Sequence, residues 1–292
     1  MTAPHTWGIG VDSRLGPDAV LELAQLADLL GYSSFWFNVV GADQDLFRLL
    51  EAVVRGTERI DVGIGVIPLD LYPPRRLSER LSRLSFDARR TIVGLGSGAA
   101  RERPLQLVKV GLEQVRSAVP ELRLAVGGIG PRMLSLGAAQ ADALVLSMMP
   151  LARAESVQQL ISTAAQAPPT LYAYHRVTPD TERGPELIHA EMVSHGAWPA
   201  EAPPPGPDEL LGTVAESRQG IAAGLTRYPP TWRPVLRPLV HDGRELPEVF
   251  RQFAPVHVEM GGGHRPAKSA SSHRICTADS AHPPQVDLHP CD

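Results

Sequence analysis

Cysteine and lysine are nearly missing from this chain, and each absence removes a class of chemistry. Both cysteines, Cys276 and Cys291, lie in its last stretch, so the part with globular patterning has none. A disulfide framework is excluded there, and this usage fits a reducing cytoplasm. Lys109 is the only lysine before the tail and falls in a helical stretch, so no strand end offers an amine for Schiff-base chemistry. Long apolar runs are missing as well. None approaches the roughly 20 residues that cross a bilayer, and Met1 to His5 lack the basic region and apolar core of a signal peptide. Nor is there a surplus of positive charge: the net charge is -4 and no basic run occurs, which excludes an electrostatic case for nucleic acid. The 292 residues suffice for one barrel of about 250 residues and a tail.

The most informative stretch is Thr57 to Gly98. An apolar, glycine-studded run from Ile60 to Ile67 reads as a strand, Arg76 to Leu84 as a helix behind Pro73 and Pro74, and Thr91 to Leu95 as a second strand ending in Gly-Ser-Gly. That is one βαβ unit, and strands so continuously apolar belong to a parallel sheet covered on both faces. The same alternation runs from strand 1 (Thr6–Val11) to strand 7 (Thr170–Tyr174). Later the pattern weakens. Glu186–His195 reads as helix, Pro199–Pro207 as loop, Leu210–Leu225 as helix, Val235–Val240 as strand 8 and Leu246–Phe253 as the last helix. Eight such strands predict a TIM barrel, with an open doubly wound sheet as the alternative should the late strands fail. The barrel domain is placed at residues 1–254. Residues 255–292 lose apolar periodicity and read as a disordered tail. Five of the ten histidines fall there, but without metal-ligand spacing, so no metal is expected.

Three glycine clusters sit at strand C-termini, where α/β proteins bind ligands. Gly127-Gly128-Ile129-Gly130-Pro131 leads into a helix whose N-terminal N–H groups could hold a phosphate, with Arg132 adding charge. A tight βα turn would demand the same small residues. Gly96-Ser97-Gly98 reads either as a cofactor-lining loop or as a plain strand-to-helix link. Gly63, Gly65 and Pro68 interrupt strand 3, as at a bulge or a close backbone approach.

GIGVIPLDLYPPRRLSERLSRLS followed by TIVGLGSG resembles the luciferase-like monooxygenase superfamily. Gly8-Ile9-Gly10-Val11, Leu30 to Phe37, and Ala125 to Arg132 continuing to Ala141–Leu146 agree with it. The resemblance covers residues 6 to 165 and fades afterwards. It implies a TIM barrel of the bacterial luciferase-like type and a flavin- or deazaflavin-dependent oxidoreductase, with FMN or F420 as cofactor and a small organic substrate. It also implies a possible homodimer. The compact loops after strands 3 and 4, and Asn38, resemble the F420 branch more; a monooxygenase using reduced flavin and oxygen stands close behind. In the family a cis peptide in a bulge ends strand 3, which maps to Gly65-Val66, with Val66 and Ile67 turned toward the mouth. Gly65, Val66, Gly96, Ser97, Gly98, Gly127, Gly128, Ile129, Gly130 and Arg132 would then hold the cofactor. Asn38, ending strand 2, would meet the ring edge. The Asp-His pair that many relatives carry just beyond that point is missing, which leaves His175, past strand 7, as the substitute acid or base. That departure keeps open a non-catalytic or degenerate flavin-binding barrel. A metal-free isomerase or aldolase, holding a substrate phosphate on the glycine loop, is a third reading.

Overall fold

Apolar runs buried on both faces become the staves of a closed parallel barrel. The computed structural model describes residues 6–39, 45–149, 151–165, 167–197, 199–203 and 212–255. Its strands are β1 (Gly8–Asp12), β2 (Ser34–Asn38), β3 (Asp61–Pro68), β4 (Thr91–Gly96), β5 (Arg123–Gly127), β6 (Ala143–Leu146), β7 (Thr170–Thr178), β8 (Gly212–Val214) and β9 (Trp232–Pro238). Eight of them pair all-parallel in the ring β1-β2-β3-β4-β5-β6-β7-β9, which β9 closes onto β1. The open-sheet alternative is thereby removed.

The helices are α1 (Pro17–Leu29), α2 (Leu46–Arg55), α3 (Pro74–Leu81), α4 (Pro104–Ala118), α5 (Pro131–Gln140), α6 (Ala154–Ala164), α7 (Gly184–Ser194), α8 (Arg218–Leu225) and α9 (Leu246–Gln252). Pro17, Pro74, Pro104 and Pro131 each open their helix, where a missing N–H costs nothing because no carbonyl precedes it in the helix.

In the late chain the strand expected at Val235–Val240 runs from Trp232 to Pro238, strand 7 extends to Thr178, and one further departure is larger. The helix expected from Leu210 to Leu225 starts only at Arg218, where the Ser217 side chain accepts from the Gly220 N–H as an N-cap. Ahead of it, Gly212–Val214 forms β8, which pairs with Arg176–Thr178 of β7. β9 lines the other edge of β7 from Leu171 to Val177, so β8 continues above β6 on a shared edge. The tail expected to be disordered lies, from residue 256 on, outside the described residues. Among the described residues no helix is long and apolar enough to cross a membrane.

Two apolar layers result. The larger lies between strands and helices and holds Ile9, Phe35, Phe37, Ile64, Ile67, Leu124 and Phe250. The smaller fills the barrel: Trp36, Ile92, Ala125, Ala143, Val145, Tyr172, Tyr174 and Val235, with Val66 against it. Trp7 belongs to the outer layer, where its indole N–H donates to the Phe253 carbonyl at 3.0 Å.

At the strand N-termini, Asp28 ties α1 to the start of β3. Its carboxylate accepts from the backbone N–H groups of Glu58 (2.7 Å), Arg59 (3.3 Å) and Ile60 (3.1 Å). Asp28→Ala would strand these donors next to the core. It should cost about 2–3 kcal/mol in urea unfolding; a loss within 0.5 kcal/mol of zero, roughly the spread of a neutral surface change, would show that water replaces the carboxylate.

Candidate functional site

Along β2 and β7 alternate residues face the interior, and this sets the floor of the site. Trp36 lies across the barrel because its neighbours on both sides are glycines. A Cβ added at Gly63 would strike its indole, and one at Gly10 would stand 3.1 Å from its Cβ. Above Trp36 on β7 stands Tyr174, edge-on to it with ring centroids 6.2 Å apart.

β3 then breaks its alternation. Its register against β4 shifts between Ile64 and Ile67, and the Gly65–Val66 peptide is cis, where the family resemblance placed it. Ile64 and Ile67 both belong to the outer layer, so the consecutive pair facing inward is Gly65 and Val66. This corrects the expectation for Ile67, which is fully buried under the helices. The Val66 side chain lies over three glycines. A Cβ at Gly94, Gly96 or Gly127 would come within 2.8 Å, 2.8 Å and 2.6 Å of its methyl groups. Gly96 and Gly127 therefore contribute space for Val66, and Val66 itself, half-buried, forms an apolar shelf at the mouth.

Unpartnered polar atoms lie on β2, β7 and β9. The Asn38 Oδ1, Tyr174 Oη, Arg176 Nε and Arg237 Nε atoms are buried without a hydrogen-bond partner. Arg176 donates to Ser147 Oγ at 3.1 Å, and its guanidinium lies 3.9 Å from Glu191 of α7. Arg237 donates to Asp12 at 3.3 Å. Burial pushes the Asp12 carboxyl up, but hydrogen bonds from Arg14 and the nearby Arg237 charge outweigh it and hold the pKa below the usual value. Burial pushes the Tyr174 hydroxyl well above its ordinary range against the opposing charges of Arg237 and Arg176, so it stays protonated. Between α7 and the ends of β1 and β9 lies a cavity of about 490 Å³, lined by Val11, Leu187, Leu239 and Leu246 among apolar residues and by the paired Asp12 and Arg237.

The other expected residues separate into two groups. Gly128, Ile129 and Gly130 form an open loop before α5, and Arg132 stands in the first turn of that helix. No side chain caps that helix, Ile129 is 41% exposed, and nothing lies within 4 Å of a Cβ built on Gly130. Ser97 and Gly98 are tied down locally: the Ala99 N–H donates to Asp70 at 2.9 Å, and Gly98 at φ +61° gives the Asp70 carboxylate its space. Gly98 thus has a turn role of its own.

His175 does not reach the mouth. It follows the inward Tyr174 and so points outward, buried, with Nδ1 3.0 Å from Tyr228 Oη and Nε2 2.7 Å from Thr213 Oγ1. Burial, reinforced by Arg176 and Arg227, pulls its pKa down to about 3. The residue before it on β7, Tyr174, faces the interior instead. Period-two alternation from Tyr172 to Arg176 carried that signal. Among the described residues no group of three or more His, Cys, Asp or Glu could hold a metal.

Residues 1–103 match the sequence profile of the luciferase-like monooxygenase family. No curated protein matches the chain. Solved structures do, at low identity. The coenzyme F420-dependent tetrahydromethanopterin reductase of Methanopyrus kandleri superposes with a TM-score of 0.63 at 12% identity, covering 86% of this chain and 97% of its own. A monooxygenase of Streptomyces bottropensis gives 0.63 at 18%, covering 85% and 97%. The oxygenating constituent of 3,6-diketocamphane monooxygenase from Pseudomonas putida, in complex with FMN, gives 0.58 at 14%, covering 86% and 98%. The chain thus matches the luciferase-like monooxygenase profile over residues 1–103 and shares the barrel fold of these structures.

Proposed function

We propose that this protein is an F420- or FMN-dependent oxidoreductase acting on a small organic substrate. The observation that carries the reading is the apolar shelf of Val66 over Gly94, Gly96 and Gly127, flanked at the end of β2 by the unpartnered Asn38 Oδ1 and by further polar atoms. A flat ring needs a smooth apolar support with hydrogen-bonding groups at its edge, and these residues fit that need. The bound cofactor would supply the hydride or electron transfer; the protein would orient and shield it. Its phosphate would lie at the uncapped N-terminus of α5, where free N–H groups and the helix dipole favour an anion. The substrate would enter the cavity beside β1, β9 and α7, whose lining is largely apolar and whose charges are paired.

Titration of the full-length protein with FMN and F420 in separate experiments, followed by fluorescence, tests this directly. Binding of neither at tens of micromolar would dismiss the reading. Gly130→Asp then isolates the phosphate loop. Gly130 is the N-cap of α5, with an ordinary negative φ and open space, so an aspartate there should hold stability or add a few tenths of a kcal/mol. The same carboxylate would repel a phosphate and occupy its N–H donors. Cofactor affinity should fall at least tenfold; unchanged affinity would make the loop a structural turn only. Gly128→Asp is the poorer probe, because its Cβ would stand 2.7 Å from Met133 Cγ.

A second reading, a cofactor-binding barrel without turnover, is favoured by the outward His175. Turnover of added substrates with reduced cofactor separates the two.

A further inference from the structure

Two other buried tyrosines have hydroxyl partners. Tyr32 donates to the Phe250 carbonyl at 2.8 Å, and the Tyr228 hydroxyl lies 3.0 Å from His175. Tyr174, as deeply placed, has none. An unpartnered buried hydroxyl costs stability that a phenylalanine would avoid. Its position is specific: a Cβ built on Gly65 would stand 2.7 Å from Tyr174 Oη, so the hydroxyl lies directly against the bulge from across the barrel. On the neighbouring strand Asn38 follows the Phe37–Ile64 register pair, which sets it beside Gly65, and its Oδ1 is likewise unpartnered. Arg176, the nearest cation along β7, is already engaged by Ser147 and Glu191. Two polar groups from opposite sides of the barrel therefore converge on one peptide without bonding to protein.

We propose that the Tyr174 hydroxyl is a ligand-binding hydrogen-bond donor that, with the Asn38 amide, grips the edge of a flat, carbonyl-bearing ring seated at Gly65–Val66. The inference rests on the cofactor reading above and adds to it the residue that holds the ring edge. A protonated phenol can only satisfy its hydrogen by donating, which selects a carbonyl or ring-nitrogen acceptor on the ligand. The amide beside it can meet an adjacent N–H. An edge with a carbonyl next to an N–H fits both.

The test is Tyr174→Phe in the full chain, with two readouts. In urea unfolding the variant should be as stable as the parent or more so. In fluorescence titration, its affinity for whichever of FMN and F420 the parent binds should fall about tenfold. Equal affinity in a folded variant would overturn the inference while leaving the cofactor reading intact. A variant less stable than the parent would also overturn it, because the hydroxyl would then serve the protein. If the parent binds neither cofactor, the cofactor reading and this inference fail together, a result distinct from both others.

Discussion

Trp36→Ala should lose about 3–5 kcal/mol of stability, with the result at the upper end of what a large-to-small core change costs. The loss has two parts, the transfer of the indole to water and the void left behind. Relaxation normally reduces the second part. Here it cannot, because the residues facing the void on the adjacent strands are Gly10, Gly63 and Gly65, which have no side chain to move in. Tyr172, at a centroid distance of 4.7 Å, and Tyr174 are held on β7 by strands on both edges. Trp36→Phe should keep most of the packing and lose about half as much. Equilibrium urea unfolding of the three proteins reads the difference. A Trp36→Ala loss below about 1.5 kcal/mol, the range of well-tolerated core swaps, would mean that the interior repacks and that the glycines do not define a fixed slot.

Acid should weaken the fold through His175. Its folded pKa lies at about 3, below the ordinary unfolded value near 6.5. Above pH 6.5 neither state takes the proton, and the full stability is present. Between 6.5 and 3 the unfolded chain is protonated and the folded one is not, so stability falls with falling pH by about 1.4 kcal/mol per unit from this group. From pH 7 to 4.5 that amounts to about 2–3 kcal/mol. His175→Phe should be less stable at pH 7, since Tyr228 and Thr213 lose their partner, but its stability should depend less on pH by that amount. The comparison between the two proteins cancels the other titrating groups. Parallel pH profiles would show that the imidazole is protonated in place or hydrated. Because His175 faces away from the mouth, its cofactor affinity should match the parent's.

The first seven strands and the helices between them were legible because each is an apolar run closed by a turn signal, as Gly31 and Gly56 close α1 and α2. β8 was not. Three residues, Gly212–Val214, carry no periodicity, and their strand state comes from pairing with the upper end of β7. The helix boundary there was visible only in Ser217, a cap that an apolar Leu210–Leu211 start obscured. At the site, the interruption of β3 could be read from its glycines, and Gly65–Val66 is where it falls. What could not be read was which glycine serves a ligand and which serves a side chain, because Gly96 and Gly127 give their space to a valine on another strand, far away in sequence. His175 lies one residue from the inward Tyr174, a small step along the chain but a full reversal across a strand.

β7 is held by three partners at once, β6 and β8 along one edge and β9 along the other. A strand with one or two neighbours can slide and re-pair; this one would have to break all three ladders together. Sliding by one position would turn the imidazole into the barrel and the phenol out among the helices. The forked pairing therefore works as a latch on orientation: it decides that the group at the centre of the barrel is a phenol that keeps its proton, and that the imidazole stays outside among the helices.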